Sequence, residues 1–190
     1  MPNVITLSEA ATVLQSARRI LVVGCSGGGK TTLSVRLAEH FLLAYQSLDR
    51  DVRWLPNWVV RDEAEQRQIF EQLAAQERWV MDGSGPSSLD IRLPRADVVI
   101  WVRVPRRVAL WGLFKRVCAN YGTVRFGMAE GCKEPIPDRE FLSYIWNFEK
   151  DSAPKIERGI DVHGPEVPVV MVRSHREMEG LIADGGGQVQ

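Results

Sequence analysis

Apolar residues fall along this chain in two rhythms. Short unbroken runs at Ile20-Leu21-Val22-Val23, Trp79-Val80-Met81, Ala96 to Val104 and Val167 to Arg173 are bounded by glycine, proline or charge, as buried parallel strands are. Ala44 to Asp49 reads as one more strand, ending at an acid. Between them the spacing turns helical. Ala10, Val13, Leu14 and Ala17 share a face of Leu7 to Arg18, with Ser8 near its cap, and Leu33, Leu37 and Phe41 share one of Thr32 to Phe41. Asp62 to Gln76 buries Ala64, Ile69, Phe70, Leu73 and Ala74, and Ser84 to Pro94 has room for a short helix. Arg106 to Asn120, with Pro105 at its first position, offers Val108, Leu110, Trp111, Leu113, Phe114 and Val117 as a broad apolar side. Asp138 to Ile160, bent near Pro154, offers Phe141, Leu142, Ile145, Trp146 and Phe148, and a last helix runs from its cap at Ser174 through Ala183. Five strands alternating with helices predict an α/β domain with a parallel sheet over residues 1–184 and a frayed tail from Gly185.

The stretch between the first strand and its helix, GCSGGGKTT, fits G-x-x-x-x-G-K-[ST] with Gly24, Gly29, Lys30 and Thr31 in the fixed places. A plain turn would not need the three consecutive glycines Gly27, Gly28 and Gly29, each of which adds backbone entropy to be lost. A loop whose backbone N–H groups converge on phosphate oxygens does need them, because side chains must be absent and positive φ allowed. The following helix turns its positive end toward the same anion. Gly24, Ser26, Gly27 to Gly29, Lys30, Thr31 and Thr32 are therefore the candidate nucleotide-binding residues. Lys30 supplies charge to the β- and γ-phosphates of ATP, and the Thr31 hydroxyl is a candidate ligand of Mg2+.

In open parallel sheets ligands gather at the carboxyl ends of the strands, which directs attention to the acids there. Asp82, at the tip of the third strand, is the candidate second metal-organising group, or else a turn-forming Asp-Gly. Asp49 could hold metal through water, orient an acceptor hydroxyl or take its proton, or simply begin a solvent loop. Trp54 and Trp58, in an acceptor-binding segment at about residues 50–77, form either a stacking wall for a flat substrate or a staple that ties the loop down. Tyr121 to Pro137, with three glycines and two prolines, reads as a mobile lid. Arg125 within it and Arg116 just before it are candidates for clamping a moving phosphoryl group.

Composition narrows the partners. The 190 residues carry 24 basic and 24 acidic side chains, a net charge of zero, which provides no global field for nucleic acid or an anionic membrane. Direct nucleic-acid binding is thus not expected. Hydrophobic residues make up 45% and charged residues 25%, the proportions of a soluble globular protein. No apolar run approaches the length of a membrane span and no secretory pattern opens the chain, so a cytoplasmic protein is expected, as monomer or homodimer. Cys25, Cys118 and Cys132 form no C-x-x-C pair, against a disulfide framework or a zinc site. Cys25 is either an oxidation-sensitive thiol in the loop or a small residue that fits there.

The order GCSGGGKTT, LDRDVRWLPNW, WVMDGSGPSSLDIRLPRAD, MAEGCKE and FLSYIWNF resembles the DNA topology modulation proteins, relatives of adenylate kinase, from about Arg19 to Arg176. The resemblance implies a P-loop fold of nucleoside-monophosphate-kinase type: a five-stranded parallel sheet between helical layers, an acceptor-binding segment and a lid. Asp82-Gly83-Ser84-Gly85-Pro86 is similar to the Asp-Gly-x-Pro-Arg segment of adenylate kinases, longer by one residue and with Ser87 in place of the arginine, which leaves Arg92 as the substitute contact to substrate. Asp49 matches the strand-end acid that contacts the acceptor hydroxyl in small-molecule kinases such as shikimate kinase. A magnesium- and ATP-dependent phosphotransferase acting on a small molecule is therefore expected. The family's name adds a second expectation, an ATP-binding regulator of DNA topology or gene expression, and a slow ATPase is the third.

Overall fold

The computed structural model describes residues 1–185. Its core is a parallel sheet whose central strands are β2 (Arg19–Gly24) and β7 (Val98–Val102), where Ile20 to Val23 and Val98 to Val102 are fully buried. β6 (Trp79–Asp82) lies on the other side of β2, pairing Val22 with Asp82, and β3 (Ala44–Ser47) closes that edge by pairing Ser47 with Asp82. Strands buried on both faces need no alternation, which is why these segments read as continuous apolar runs.

The sheet has six strands, not the expected five. β1 (Asn3–Ile5) pairs in parallel with β8 (Pro168–Val172) and completes the order β1-β8-β7-β2-β6-β3. Three residues, two of them exposed, are too few to show a period, so this edge strand leaves no sequence signal. Thr6 then caps α1 (Leu7–Ser16) through a capping box with Glu9, in place of Ser8.

Helices α1, α2 (Lys30–Phe41) and α8 (His175–Gly185) pack together as one layer, and Ser174 caps α8 as expected. The other layer holds α3 (Glu63–Ala74), the short α4 (Leu89–Arg92), α5 (Arg106–Asn120), α6 (Arg139–Asp151) and α7 (Ala153–His163). The break between α6 and α7 falls at Ser152, two residues before Pro154. Gly185 is helical within α8, and the remainder of the expected tail, 186–190, lies outside the described residues. Among the described residues no helix is long and apolar enough to cross a membrane.

α5 departs from its expected burial. Trp111 and Phe114 are exposed and stack on each other with centroids 5.3 Å apart, while Ala109 and Leu113 are buried. The inward face is set by small residues. A Cβ on Gly27 would lie 2.2 Å from the Ala109 carbonyl oxygen, and one on Gly112 would lie 2.1 Å from that of Gly27. Helix and loop touch backbone to backbone, and Trp111 and Phe114 are turned to the opposite side. Pro105 sits one residue before the helix, its carbonyl accepting from the Val108 and Ala109 N–H groups.

Gly112→Ala should therefore separate α5 from the loop and lower stability by roughly 1–3 kcal/mol, read from urea unfolding. An unchanged midpoint would mean that the contact carries no weight.

Candidate functional site

The loop after β2 has Gly27 and Gly29 at φ 76° and 97°, and α2 starts at once with Lys30. Gly28 needs no positive φ, but a Cβ there would sit 3.1 Å from the Cys25 oxygen. Ser84, to which the sequence assigns no role, clasps the base of the loop: its hydroxyl accepts from Gly24 N–H at 2.8 Å and donates to Gly24 C=O at 2.7 Å. Lys30 Nζ donates to the Cys25 carbonyl at 2.8 Å, so the ammonium arches over its own loop. Burial pushes the Cys25 thiol up to about 11, which keeps it protonated and favours the small-residue reading over an oxidation-sensitive thiolate.

β6 delivers Asp82 beside this loop. Its Oδ2 accepts from the Thr31 hydroxyl at 2.6 Å and from the Tyr45 hydroxyl at 3.4 Å. Burial raises the Asp82 carboxyl above its ordinary value, while the Lys30 charge and the Thr31 bond act against that rise. One hydroxyl and one carboxylate make an oxygen-only donor set. That set fits Mg2+, which takes one or two protein ligands and fills its octahedron with water and phosphate oxygen. Among the described residues no three His, Cys, Asp or Glu side chains cluster as a metal cage.

β3 ends at Ser47, and the chain then makes a single π-helical turn, Leu48–Arg53. Gly83, at φ 142°, lets this turn close on the end of β6, since a Cβ there would lie 2.3 Å from that of Leu48. Within the turn the acids divide. Asp51 is consumed locally, accepting Ser47 N–H at 2.7 Å and both arms of Arg50 at 2.6 and 2.8 Å. Asp49 is 43% exposed and faces the cleft, and its ion-pair contact among the described residues is Arg125, at 3.9 Å.

Arg116 and Arg125 meet on one carboxylate. Glu134, 2% exposed, accepts Arg116 Nε on Oε1 at 2.7 Å and Arg125 Nε on Oε2 at 2.9 Å, while Arg116 Nη1 donates to the Ser26 hydroxyl at 3.1 Å. Desolvation lowers the Arg116 guanidinium, and the Arg125 charge lowers it further. Nothing in the local pattern marks Glu134, an acid among glycines and prolines, as the partner of either arginine.

The Tyr121 to Pro137 segment is folded despite its irregular sequence. Gly122 N–H reaches Glu134 O at 3.0 Å, Glu134 N–H reaches Thr123 O at 2.8 Å, and Met128, Ala129 and Cys132 are buried against Trp54 and Trp58. The tryptophans belong to a small antiparallel hairpin, β4 (Trp54–Leu55) and β5 (Val59–Val60), and meet edge to face with centroids 5.1 Å apart. At its tip Asn57 and Trp58 adopt φ 62° and 65°. Left-handed backbone of this kind is rare for a bulky residue. Three bonds to the 121–137 segment support it: Asn57 N–H to Glu130 O at 3.1 Å, Trp58 N–H to Cys132 Sγ at 3.2 Å and Trp58 Nε1–H to Lys133 O at 3.1 Å. These contacts make the pair a staple, and both indoles also line the cleft.

Arg92 does not reach the cleft, contrary to the expected substrate contact. It is fully buried, donating to the Gly83, Ser84 and Gly85 carbonyls at 2.7, 3.2 and 2.8 Å, and burial pulls it down to about 9. Its guanidinium shapes the strand-end loop from behind. Of the remaining candidates, Gly24, Ser26, Gly27, Gly29, Lys30, Thr31, Thr32, Asp49, Asp82, Arg116 and Arg125 with both tryptophans line one cleft of about 1250 Å3, while Gly28 turns toward Cys25, Val102 and Val104.

Arg92→Met should strand these carbonyls and lower stability by about 3 kcal/mol in urea unfolding. Unchanged stability would contradict the clamp.

No protein-family model and no curated protein matches the chain. Solved structures do. The shikimate kinase of Acinetobacter baumannii, solved in complex with shikimate, is 14% identical and superposes with a TM-score of 0.56, covering 90% of this chain and 92% of its own. Those of Bacteroides thetaiotaomicron (16% identity, TM-score 0.54, 88% and 95% covered) and Aquifex aeolicus (14%, 0.51, 87% and 92%) are similar over comparable lengths. At these identities the likeness is one of architecture, and this chain has the α/β P-loop kinase fold.

Proposed function

We propose that this chain is a magnesium- and ATP-dependent phosphotransferase whose acceptor is a hydroxyl of a small molecule. The observation that carries the reading is the opening of the phosphate loop and of Asp49 into the same cleft, with the Thr31–Asp82 pair at the loop and two arginines alongside.

Loop N–H groups and Lys30 bind the phosphate tail, and α2 directs its positive end there. Thr31 and Asp82 hold Mg2+, which when bound neutralises charge on the phosphate oxygens. Asp49, left free by Asp51, orients the acceptor O–H and takes its proton. Arg116 and Arg125 offer guanidinium groups to the charge that spreads over the transferring oxygens. The cleft is larger than an ordinary small-molecule site, enough for donor and acceptor together. The shikimate kinases act on an alcohol, which agrees with Asp49 as the hydroxyl contact. The resemblance to DNA topology modulation proteins attaches a regulatory role by name alone, and no feature of the cleft favours it.

ADP release measured against a panel of alcohols tests the reading, with two variants to locate it. Lys30→Ala should lower turnover by about 100-fold or more with the fold intact by circular dichroism; full turnover would remove the donor site. Asp49→Asn should retain ATP binding by calorimetry while acceptor phosphorylation falls about 100-fold or more; retained phosphorylation would reduce Asp49 to a loop acid.

A further inference from the structure

Asp82 is held by more than the phosphate loop. Its Oδ2 accepts from the Tyr45 hydroxyl as well as from that of Thr31, and although the bond from Tyr45 is long at 3.4 Å, its sense is fixed. A phenol donates at neutral pH and a carboxylate only accepts. Tyr45 lies on β3, whose register sets Ser47 opposite Asp82, and side chains two apart on a strand share a face, so Tyr45 and Ser47 both reach the acid from the neighbouring strand. Asp82, Thr31 and Phe126 line the cleft and Tyr45 does not. It acts on a ligand only through them.

The same ring carries the tip of the 121–137 segment. Phe126 stacks on Tyr45 with centroids 5.6 Å apart and planes 23° from parallel, and the Arg50 guanidinium, paired with Asp51, lies 5.4 Å from the Tyr45 centroid. Next in the chain, Gly127 takes φ 81° and its carbonyl accepts from the buried Ser47 hydroxyl at 2.8 Å. A Cβ on Gly127 would lie 3.2 Å from the Tyr45 hydroxyl oxygen and 3.6 Å from Cγ2 of Thr31. The tip thus takes up glycine backbone where it meets the groups assigned to the metal. A tyrosine that merely filled space at this strand would need neither a carboxylate at its hydroxyl nor a left-handed glycine beside it.

We infer that Tyr45 is a positioning residue that joins two parts of the site: its hydroxyl keeps the Asp82 carboxylate turned for Mg2+ and its ring seats the Phe126-Gly127 tip, so that cation binding and seating of the segment support each other. The inference rests on the phosphotransferase reading, in which Thr31 and Asp82 hold Mg2+, and extends it to the residue that orients the acid. Carboxylates that bind metal are themselves oriented by hydrogen bonds, and removing one such partner weakens metal binding by roughly 10- to 100-fold. The coupling is reciprocal: whatever the seated segment adds to cation affinity, the cation adds to the seating.

The test uses the whole chain with ADP, Mn2+ as the probe for the Mg2+ position, and two readouts that need no acceptor. Mn2+ affinity is read from the paramagnetic resonance signal of the free ion, and seating of the tip from the rate of tryptic cleavage after Arg125. In the unaltered protein Mn2+ should slow that cleavage about fivefold relative to ADP alone. Tyr45→Phe, which keeps the ring and removes the hydroxyl, should weaken Mn2+ binding about tenfold and abolish the slowing, with the cleavage rate in ADP alone unchanged. Phe126→Leu, at a position 63% exposed and therefore harmless to the core, should speed cleavage in ADP alone and weaken Mn2+ binding about fivefold; it decides the matter by itself if Tyr45→Phe fails to fold. Unaltered Mn2+ affinity in a folded variant, or cleavage that Mn2+ does not slow in the unaltered protein, overturns the role of Tyr45 but leaves the nucleotide site standing. Failure of the unaltered protein to bind ADP with Mn2+ overturns the phosphotransferase reading as well.

Discussion

Three strand ends have to meet for this cleft to exist, and Gly83, Ser84 and Arg92 hold them together. Ser84 occupies both polar groups of Gly24, so β6 and the phosphate loop cannot separate without leaving a donor and an acceptor unpaired. Gly83 allows the turn after β3 to approach to a distance that no side chain permits, bringing Asp49 to the same edge as Asp82. Arg92 braces the Gly83–Gly85 carbonyls from inside the second helical layer. Lys30 with Thr31, Asp49 and Asp82 lie on three separate elements, and their mutual placement derives from this clasp.

Charge in the cleft is arranged around Glu134. Two guanidinium groups aimed at one region would repel each other, and a nearly buried carboxylate between them allows both to remain charged and pre-aimed. Arg116 is also tied to Ser26 in the phosphate loop, so the arginine pair, the loop and the 121–137 segment form one electrostatic unit.

Features fixed by local chemistry are legible in the residues alone. Gly27, Gly29 and Lys30 announce the phosphate loop because its geometry depends on adjacent backbone, and β2 and β7 announce themselves because burial on both faces leaves no polar position. Arg92 lies on the far side of its loop from the expected substrate contact, since a guanidinium that serves a ligand and one that serves carbonyls look the same in one dimension. Glu134 gives no signal because its partners lie 9 and 18 residues away across an irregular segment. Trp111 and Phe114 mislead because size argues for burial, whereas backbone contact at Gly112 decides which face turns inward. β1 is visible only through its pairing with β8.

The left-handed tip of the hairpin links two parts of the molecule thermodynamically. Asn57 and Trp58 hold a backbone shape costing on the order of 1–3 kcal/mol apiece. That cost is offset by bonds whose other halves belong to the 121–137 segment. Were that segment to swing away, those bonds would be lost together and the tip would have reason to relax toward ordinary backbone, carrying the Trp58 indole with it. The same three bonds thus tie the position of the Trp58 indole to the seating of the 121–137 segment.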